Sequence, residues 1–290
     1  MVYAPVGSRN RPAVLVVGWA QGGLNGPAFK ASSLSSNGYV ALALAYFGAE
    51  GLPPTLEHIP LEYFDVAIEW LRQHPAVDPD QISALGSSRG AEAVLLVASR
   101  NHDIRRVIAA SPSGIVWRGF NIASPPDSEP AWSLGGSDLP YVLPDAEILS
   151  QGRIGAAFQA SLESAYGRPE VQIEVENING PILLISGRDD RQWPSAEMAE
   201  RIVERLEQFG FPFAVDHKSY PDAGHLAFIG NPDNAGLTNP SDAWSPRMGG
   251  TETGNRAAWI DSWSQVLQFL AEPPGSANAI GAATKAASRN

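Results

Sequence analysis

The 290-residue sequence contains no cysteine. This absence excludes disulfide bonds, thiolate metal sites and a cysteine nucleophile. It is typical of a reducing compartment, and no charged segment followed by an apolar one is visible at the amino terminus. The longest apolar run, residues 39–47, is too short to span a bilayer. The sequence therefore predicts a soluble, cytoplasmic protein with no membrane partner.

Basic residues are few, because 20 Lys and Arg stand against 31 Asp and Glu, for a net charge of −11. An acidic chain has no electrostatic attraction for the phosphates of nucleic acid. The five His residues and the carboxylates show neither HExxH nor EF-hand spacing. We therefore predict no nucleic-acid partner, no metal and no cofactor. Nothing in the charge pattern fixes an oligomeric state.

Short apolar runs alternate with helical stretches along most of the chain. Strands are predicted at residues 13–17, 39–46, 81–85, 106–110, 181–186 and 213–219. Helices are predicted at residues 60–72, 91–99, 194–209 and 257–271. This alternation is typical of an α/β fold with a mostly parallel sheet and helices on both faces. We predict a single domain over residues 1–271 and a disordered tail over 272–290.

Helical and strand periodicity is lost between about residues 115 and 180. Residues 121–144 are rich in Pro, Gly and Ser, and aromatic side chains such as Tyr141 lie among them. A long irregular stretch inside a compact domain is usually functional. We therefore predict a lid or cap insertion after the strand near residues 106–110, with aromatic side chains lining an apolar acyl pocket.

Residues 86–90 read Gly-Ser-Ser-Arg-Gly and fit the motif G-x-S-x-G. An apolar strand is predicted before this motif and a helix after it. That context is typical of a nucleophile elbow, in which small flanking residues let the chain turn sharply from strand to helix. Only Ser88 occupies the serine position of the motif. The sequence thus predicts an α/β-hydrolase fold with Ser88 as the nucleophile.

An α/β hydrolase carries its acid and then its histidine downstream of the nucleophile, each after a strand. Asp190 and His225 follow the last two predicted strands, at the sheet edge where Ser88 is also expected. Asp189 is the competing acid. Asp190 lies just ahead of a proline-started helix, so we assign it to the triad and expect Asp189 to hold the loop by hydrogen bonds. His217 lies inside a strand and is predicted to be structural.

Acyl transfer through serine requires two backbone N–H donors for the tetrahedral oxyanion. One is expected from Arg89, the residue after the nucleophile. The other is expected from the glycine-rich loop at residues 18–23, where we predict Ala20, with Trp19 as the alternative. The side chains predicted to contact the substrate are those of Gln21, Trp117, Trp132 and Trp193.

Several segments, taken in chain order, resemble one protein family. Before the elbow these are residues 22–25, 38–47 and 60–64. From the elbow onward they are residues 86–92, 186–195 and 220–225. Together they resemble the catalytic domain of the acyl-CoA thioesterase and bile acid-CoA:amino acid N-acyltransferase family, within the dienelactone-hydrolase-like α/β hydrolases. The resemblance spans residues 12–270.

The resemblance implies chemistry on activated acyl groups through Ser (or Cys), Asp and His, which correspond here to Ser88, Asp190 and His225. It implies a small-molecule acyl ester or thioester substrate, and a serine nucleophile implies hydrolysis because the transferase branch favours cysteine. The alternatives are acyl transfer to an amine or alcohol, a biosynthetic tailoring hydrolase or lactonase, and a non-catalytic binding protein. The chain departs from the family at residues 19–21, which interrupt the glycine run of the oxyanion loop.

Overall fold

The computed structural model describes residues 1–120, 129–232 and 246–272. The strands are β1 (Val2–Tyr3), β2 (Arg11–Val17), β3 (Val40–Leu44), β4 (Ile59–Pro60), β5 (Val77–Ser87), β6 (Ile104–Ala110), β7 (Trp132–Leu134), β8 (Ser137–Asp138), β9 (Ile182–Gly187) and β10 (Val215–Tyr220). The α-helices are α1 (Asn25–Ser36), α2 (Glu62–Gln73), α3 (Arg89–Ala98), α4 (Ala146–Ser150), α5 (Ile154–Tyr166), α6 (Ser195–Gln208) and α7 (Glu252–Ala271).

Seven of the strands form one sheet in the order β1-β3-β2-β5-β6-β9-β10. Its strands are parallel except for β1, which pairs antiparallel with β3 at the edge. The carboxyl ends of parallel strands meet at one edge of a sheet, which is where α/β proteins build their sites. The segments that follow β2, β5, β9 and β10 therefore converge there.

Strand β2 shows how the sheet is buried on both faces. Leu15 and Val17 pack in one cluster with residues of α2, α3 and α6, whereas Val14 and Val16 pack in a second with residues of α1 and α7. A strand covered on both sides reads as a continuous apolar run, which is why this strand was visible in the sequence. The predicted fold class, a mostly parallel sheet with helices on both faces, is confirmed. No helix within the described residues is long and apolar enough to cross a bilayer.

Two predictions about elements are corrected. Helix α2 begins at Glu62 rather than at Pro60, because residues 59–60 pair in parallel with residues 132–133 of the insertion and form the three-stranded sheet β4-β7-β8. The insertion is also not devoid of regular structure, since it contains the 13-residue helix α5. Its buried face is made largely of alanine, so α5 lacks the stripe of large apolar residues that marks a helix.

The insertion packs against the main domain through a third cluster. Ile115, Trp117 and Leu162 from the insertion are buried together with Trp193 and Met198, which follow β9. Residues 121–128 of the predicted irregular stretch 121–144 lie outside the described residues, as do residues 273–290 of the predicted tail 272–290.

Candidate active site

Ser88 occupies a sharp turn between β5 and α3. It has φ 56° and ψ −123°, a conformation that side-chain-bearing residues rarely adopt. A Cβ atom on Gly86 would collide with the carbonyl oxygen of Gly90, and one on Gly90 would collide with that of Gly18. The two glycines of the motif are therefore required by close backbone approach, and Gly18 is held against the first turn of α3.

Ser88, His225 and Asp190 form a continuous hydrogen-bonded chain. The Oγ of Ser88 lies 2.9 Å from Nε2 of His225, and Nδ1 of His225 lies 2.8 Å from Oδ2 of Asp190. The serine and histidine are only 8% and 9% exposed. This arrangement can remove a proton from the serine hydroxyl and stabilise the imidazolium that results.

The two adjacent carboxylates after β9 have different partners. Asp190 accepts from the backbone N–H groups of Gln192 and Trp193 and from Oγ of Ser195, at 2.6–3.2 Å, in addition to His225. Asp189 instead accepts from the N–H of Gly250 and from Arg191. The prediction that Asp189 holds the loop by hydrogen bonds is confirmed.

His225 is held by hydrogen bonds to its backbone and by an aromatic contact with its ring. Its backbone N–H donates to the carbonyl of Met248, and its backbone carbonyl accepts from the hydroxyl of Ser111. The ring of Trp193 meets the imidazole edge-on, with 6.0 Å between centroids, and its indole N–H donates to Ser111. His217, as predicted, is a strand residue bonded elsewhere, since its Nε2 lies 2.7 Å from Oγ of Ser186.

A buried ion pair lies in the first turn of α3, directly after Ser88 in the chain. The guanidinium of Arg89 pairs with Glu92 at 2.7 Å and donates to the carbonyls of Trp117 and Arg118 at the start of the insertion. Glu92 also accepts from the indole N–H of Trp132 and the backbone N–H of Trp117. Burial raises the pKa of Glu92 to about 7, and Arg89 and the two donors oppose that rise. This network ties the nucleophile helix to the insertion.

The loop after β2 lies beside the nucleophile turn. Tyr46 donates to the carbonyl of Gly18 at 3.1 Å and stacks on Trp132. In the part of the chain that the structure describes, the backbone N–H groups of Arg89, Trp19 and Ala20 have no acceptor. They are thus available to a developing oxyanion, and the choice between Trp19 and Ala20 stays a prediction.

Lys30 is buried under this loop. Its Nζ lies 4.5 Å from the centre of the Trp19 ring and 5.8 Å from that of Phe228. It makes no hydrogen bond within the described residues, and burial lowers its pKa to about 7. The ring beside the predicted oxyanion donors therefore rests on a desolvated amine.

The side chains predicted to contact substrate have different surroundings. Trp117 and Trp132 are fully buried and their indole N–H groups are bonded to Ser113 and Glu92, so both support the insertion and reach no open surface. That corrects the prediction for these two. Trp193 packs on the imidazole, and Gln21 is exposed on the loop after β2.

Sequence reasoning missed several residues that support the site: Tyr46, Glu92, Ser111 and Ser195. Each acts through a contact between distant segments or through an ordinary hydroxyl, which no local pattern marks. Only the position of Glu92, one turn of helix after Arg89, was a signal for a pair. Among the described residues no cluster of His, Asp and Glu is arranged to hold a metal ion.

The sequence is similar to a known protein family. The family model described as BAAT / Acyl-CoA thioester hydrolase C terminal matches residues 59–274. The mitochondrial acyl-coenzyme A thioesterase 2 of Mus musculus is 29% identical over 86% of this chain and 52% of its own length. Acyl-coenzyme A amino acid N-acyltransferase 1 of Mus musculus is also 29% identical, over 93% of this chain and 61% of its own length. The chain thus spans about half to two thirds of these relatives.

A solved structure supports the fold. A protein of Klebsiella pneumoniae assigned as a dienelactone hydrolase superposes with a TM-score of 0.58 at 16% identity. The match covers 93% of this chain and 91% of that one. The common architecture is that of the α/β hydrolases.

Proposed function

The chain belongs to the BAAT / acyl-CoA thioester hydrolase C-terminal family, and on that premise we propose that it hydrolyses an acyl thioester, an acyl-CoA, through Ser88, His225 and Asp190. The observation that carries the proposal is the chain of short contacts from Ser88 to His225 and on to Asp190. An acyl ester is the related substrate that the same chemistry would cleave.

The proposed reaction has two steps. His225 takes the hydroxyl proton as Ser88 Oγ attacks the thioester carbonyl, and Asp190 stabilises the imidazolium. The backbone N–H groups of Arg89 and of Ala20 or Trp19 receive the oxyanion. The C–S bond breaks, and His225 returns the proton to the leaving thiolate. His225 then deprotonates water, which attacks the acyl-serine ester; the Ser88 Oγ–acyl bond breaks, His225 returns the proton to Oγ, and the acid is released.

The relatives include a thioesterase and an N-acyltransferase, which differ in the molecule that receives the acyl group in the second step. A thioesterase and an N-acyltransferase are equally identical to this chain, so identity does not choose between water and an amine. The buried triad is compatible with both. We propose water, and the test therefore includes candidate amines with amide formation measured by mass spectrometry.

The experiment is a hydrolysis screen of the purified chain. It compares acyl-CoA thioesters of increasing length with p-nitrophenyl esters of the same acids, and it labels Ser88 with a fluorophosphonate. Faster turnover of thioesters with labelling at Ser88 is expected. Turnover of esters alone would make the protein a carboxylesterase, and amide formation would make it an acyltransferase. Absence of both labelling and turnover would contradict a catalytic role.

The composition supports the remaining proposals about the protein's surroundings. A net charge of −11 supports a small-molecule substrate rather than nucleic acid or an anionic membrane surface. The lack of cysteine supports a reducing compartment, and we propose the cytoplasm. Fractionation of cells that produce the protein tests the location.

A further inference from the structure

A cavity of about 580 Å³ opens beside the acid of the triad. Asp190, Arg191 and Gln192 form one wall, residues 152–156 at the start of α5 form another, and Pro246 and Arg247 complete the lining. A volume of this size is typical of a site for a small organic molecule. Asp190 belongs both to the cavity wall and to the hydrogen-bonded chain that leads through His225 to Ser88, so the cavity adjoins the acid end of that chain.

The charge of the lining is opposite to that of the chain. Arg153, Arg191 and Arg247 line the cavity, and Asp190 is the one carboxylate among the described residues of the lining. Asp190 already accepts hydrogen bonds from His225, Ser195 and two backbone groups. Asp189 pairs with Arg191 at 3.1 Å, so three guanidinium groups stand against two carboxylates here, and this excess of positive charge attracts an anion.

The guanidinium of Arg191 is held in place before any ligand arrives. It donates through Nε and Nη2 to the two oxygens of Asp189, both at 3.1 Å, and through Nη1 to the carbonyl of Pro246. A guanidinium has five N–H donors, so two remain for a ligand. Arg153 has no carboxylate partner among residues 1–120, 129–232 and 246–272.

A phosphate can accept from several guanidinium groups at once, because each planar fork donates two parallel hydrogen bonds and a phosphate offers more oxygens than a carboxylate does. A single carboxylate at the far end of an acyl chain would need only one such group. The leaving group of an acyl-CoA carries a diphosphate and a further phosphate, joined to the sulfur by a long flexible arm. Three arginines near the triad therefore fit the phosphates of the leaving group better than an acyl carboxylate.

We propose that the cavity lined by Arg153, Arg191 and Arg247 binds the phosphates of the CoA leaving group. This inference rests on the proposed thioesterase function and adds the subsite that holds the thiol half of the substrate. The binding energy would serve to orient the thioester at Ser88.

The kinetic test compares an acyl-CoA with the N-acetylcysteamine thioester of the same acid, which lacks every phosphate. The ratio of kcat/KM for the two substrates is measured for wild type, Arg153→Gln, Arg191→Gln and the double variant. Loss of one charged hydrogen-bond donor is expected to lower the ratio about tenfold, and loss of two about a hundredfold. Arg168→Gln, at the far end of α5 with an exposed partner in Glu170, is the matched control and should leave the ratio unchanged.

Calorimetric titration with free CoA measures the same site without turnover. Binding by wild type that weakens about tenfold in each variant supports the cavity even if no thioester is hydrolysed, in which case only the proposed function fails. Hydrolysis of acyl-CoA with an unchanged ratio and unchanged CoA affinity in both variants would overturn the inference and leave the function standing. Absence of CoA binding by wild type would also overturn it. A third result would overturn the inference as well. If kcat/KM for a dicarboxylic acyl thioester of N-acetylcysteamine fell in the arginine variants as much as kcat/KM for the acyl-CoA, the cavity would hold the acyl carboxylate.

Discussion

Asp189 and Asp190 are neighbours in sequence, but only Asp190 contacts the imidazole of His225. Replacing Asp190 by Asn removes the charge that stabilises the imidazolium and favours the wrong tautomer of the histidine. We expect kcat to fall by about 10⁴-fold. Asp189→Asn is the matched control, since its amide oxygen can still accept from Gly250, and its kcat should stay within about tenfold of wild type. A fall in kcat for Asp189→Asn larger than that for Asp190→Asn would instead identify Asp189 as the acid of the triad.

Lys30 predicts a dependence of stability on pH. Its pKa is lowered by burial to about 7 from an ordinary value of 10.5, so the unfolded chain binds more protons than the folded chain between these pH values. The free energy of unfolding should therefore rise with pH across this window, by about 2 kcal/mol between pH 7 and pH 9.

The comparison that isolates this effect uses Lys30→Met, which keeps the length of the side chain and removes the amine. Urea unfolding at pH 7 and pH 9 should show the rise in wild type but not in the variant, and the variant should be the more stable of the two at pH 7. Equal pH dependence in both proteins would mean that the amine is charged in the folded state.

Among the helices and strands, the sequence predicted those whose buried residues form a regular local pattern. Strands β2 and β9 are continuous apolar runs, and α6 starts after a proline and buries a regular stripe, so all three were found. Helix α5 was missed because its buried residues are mostly alanine. The start of α2 was misplaced because residues 59–60 pair with a strand more than seventy residues away, which no local pattern reports.

The candidate site likewise contains residues that the sequence could predict and others that it could not. Chain order and strand context were enough to bring Ser88, Asp190 and His225 to one edge of the sheet, because parallel strands fix where their following residues lie. The network that joins Glu92 to Trp132 could not be predicted, since forty residues separate the two and their contact depends on how the insertion packs. The roles of Trp117 and Trp132 were misjudged for the same reason.

The pair of Arg89 and Glu92 gives a prediction for the nucleophile helix. Replacing Glu92 by Ala leaves the buried guanidinium without its carboxylate, and we expect a loss of about 3–5 kcal/mol in the free energy of unfolding. Glu207→Ala, on the exposed face of α6, should change it by less than about 0.5 kcal/mol. Urea titration measures both. The double variant Arg89→Met/Glu92→Ala should be less destabilised than the sum of its parts, and additive losses would contradict the coupling.

For the whole molecule, we propose that residues 1–271 are one domain and that the insertion at 115–180 is part of it. The insertion shares the third apolar cluster with Trp193 and Met198 and is tied to α3 by the buried ion pair. Such sharing should make unfolding cooperative. Tryptophan fluorescence, to which buried Trp117 and Trp132 contribute, should therefore change at the same urea concentration as circular dichroism. An earlier transition in fluorescence would mean that the insertion unfolds separately.

The proposed cleavage of an acyl thioester depends on Ser88. The most direct measurement is the release of free CoA from an acyl-CoA by wild type, Ser88→Ala and Ser87→Ala. The hydroxyl of Ser87 is buried and has no hydrogen-bond partner among the described residues, so its removal controls for substitution at the turn. We expect a loss of about 10⁴–10⁶-fold in kcat for Ser88→Ala and little change for Ser87→Ala. A rate near that of wild type for Ser88→Ala would rule out Ser88 as the nucleophile.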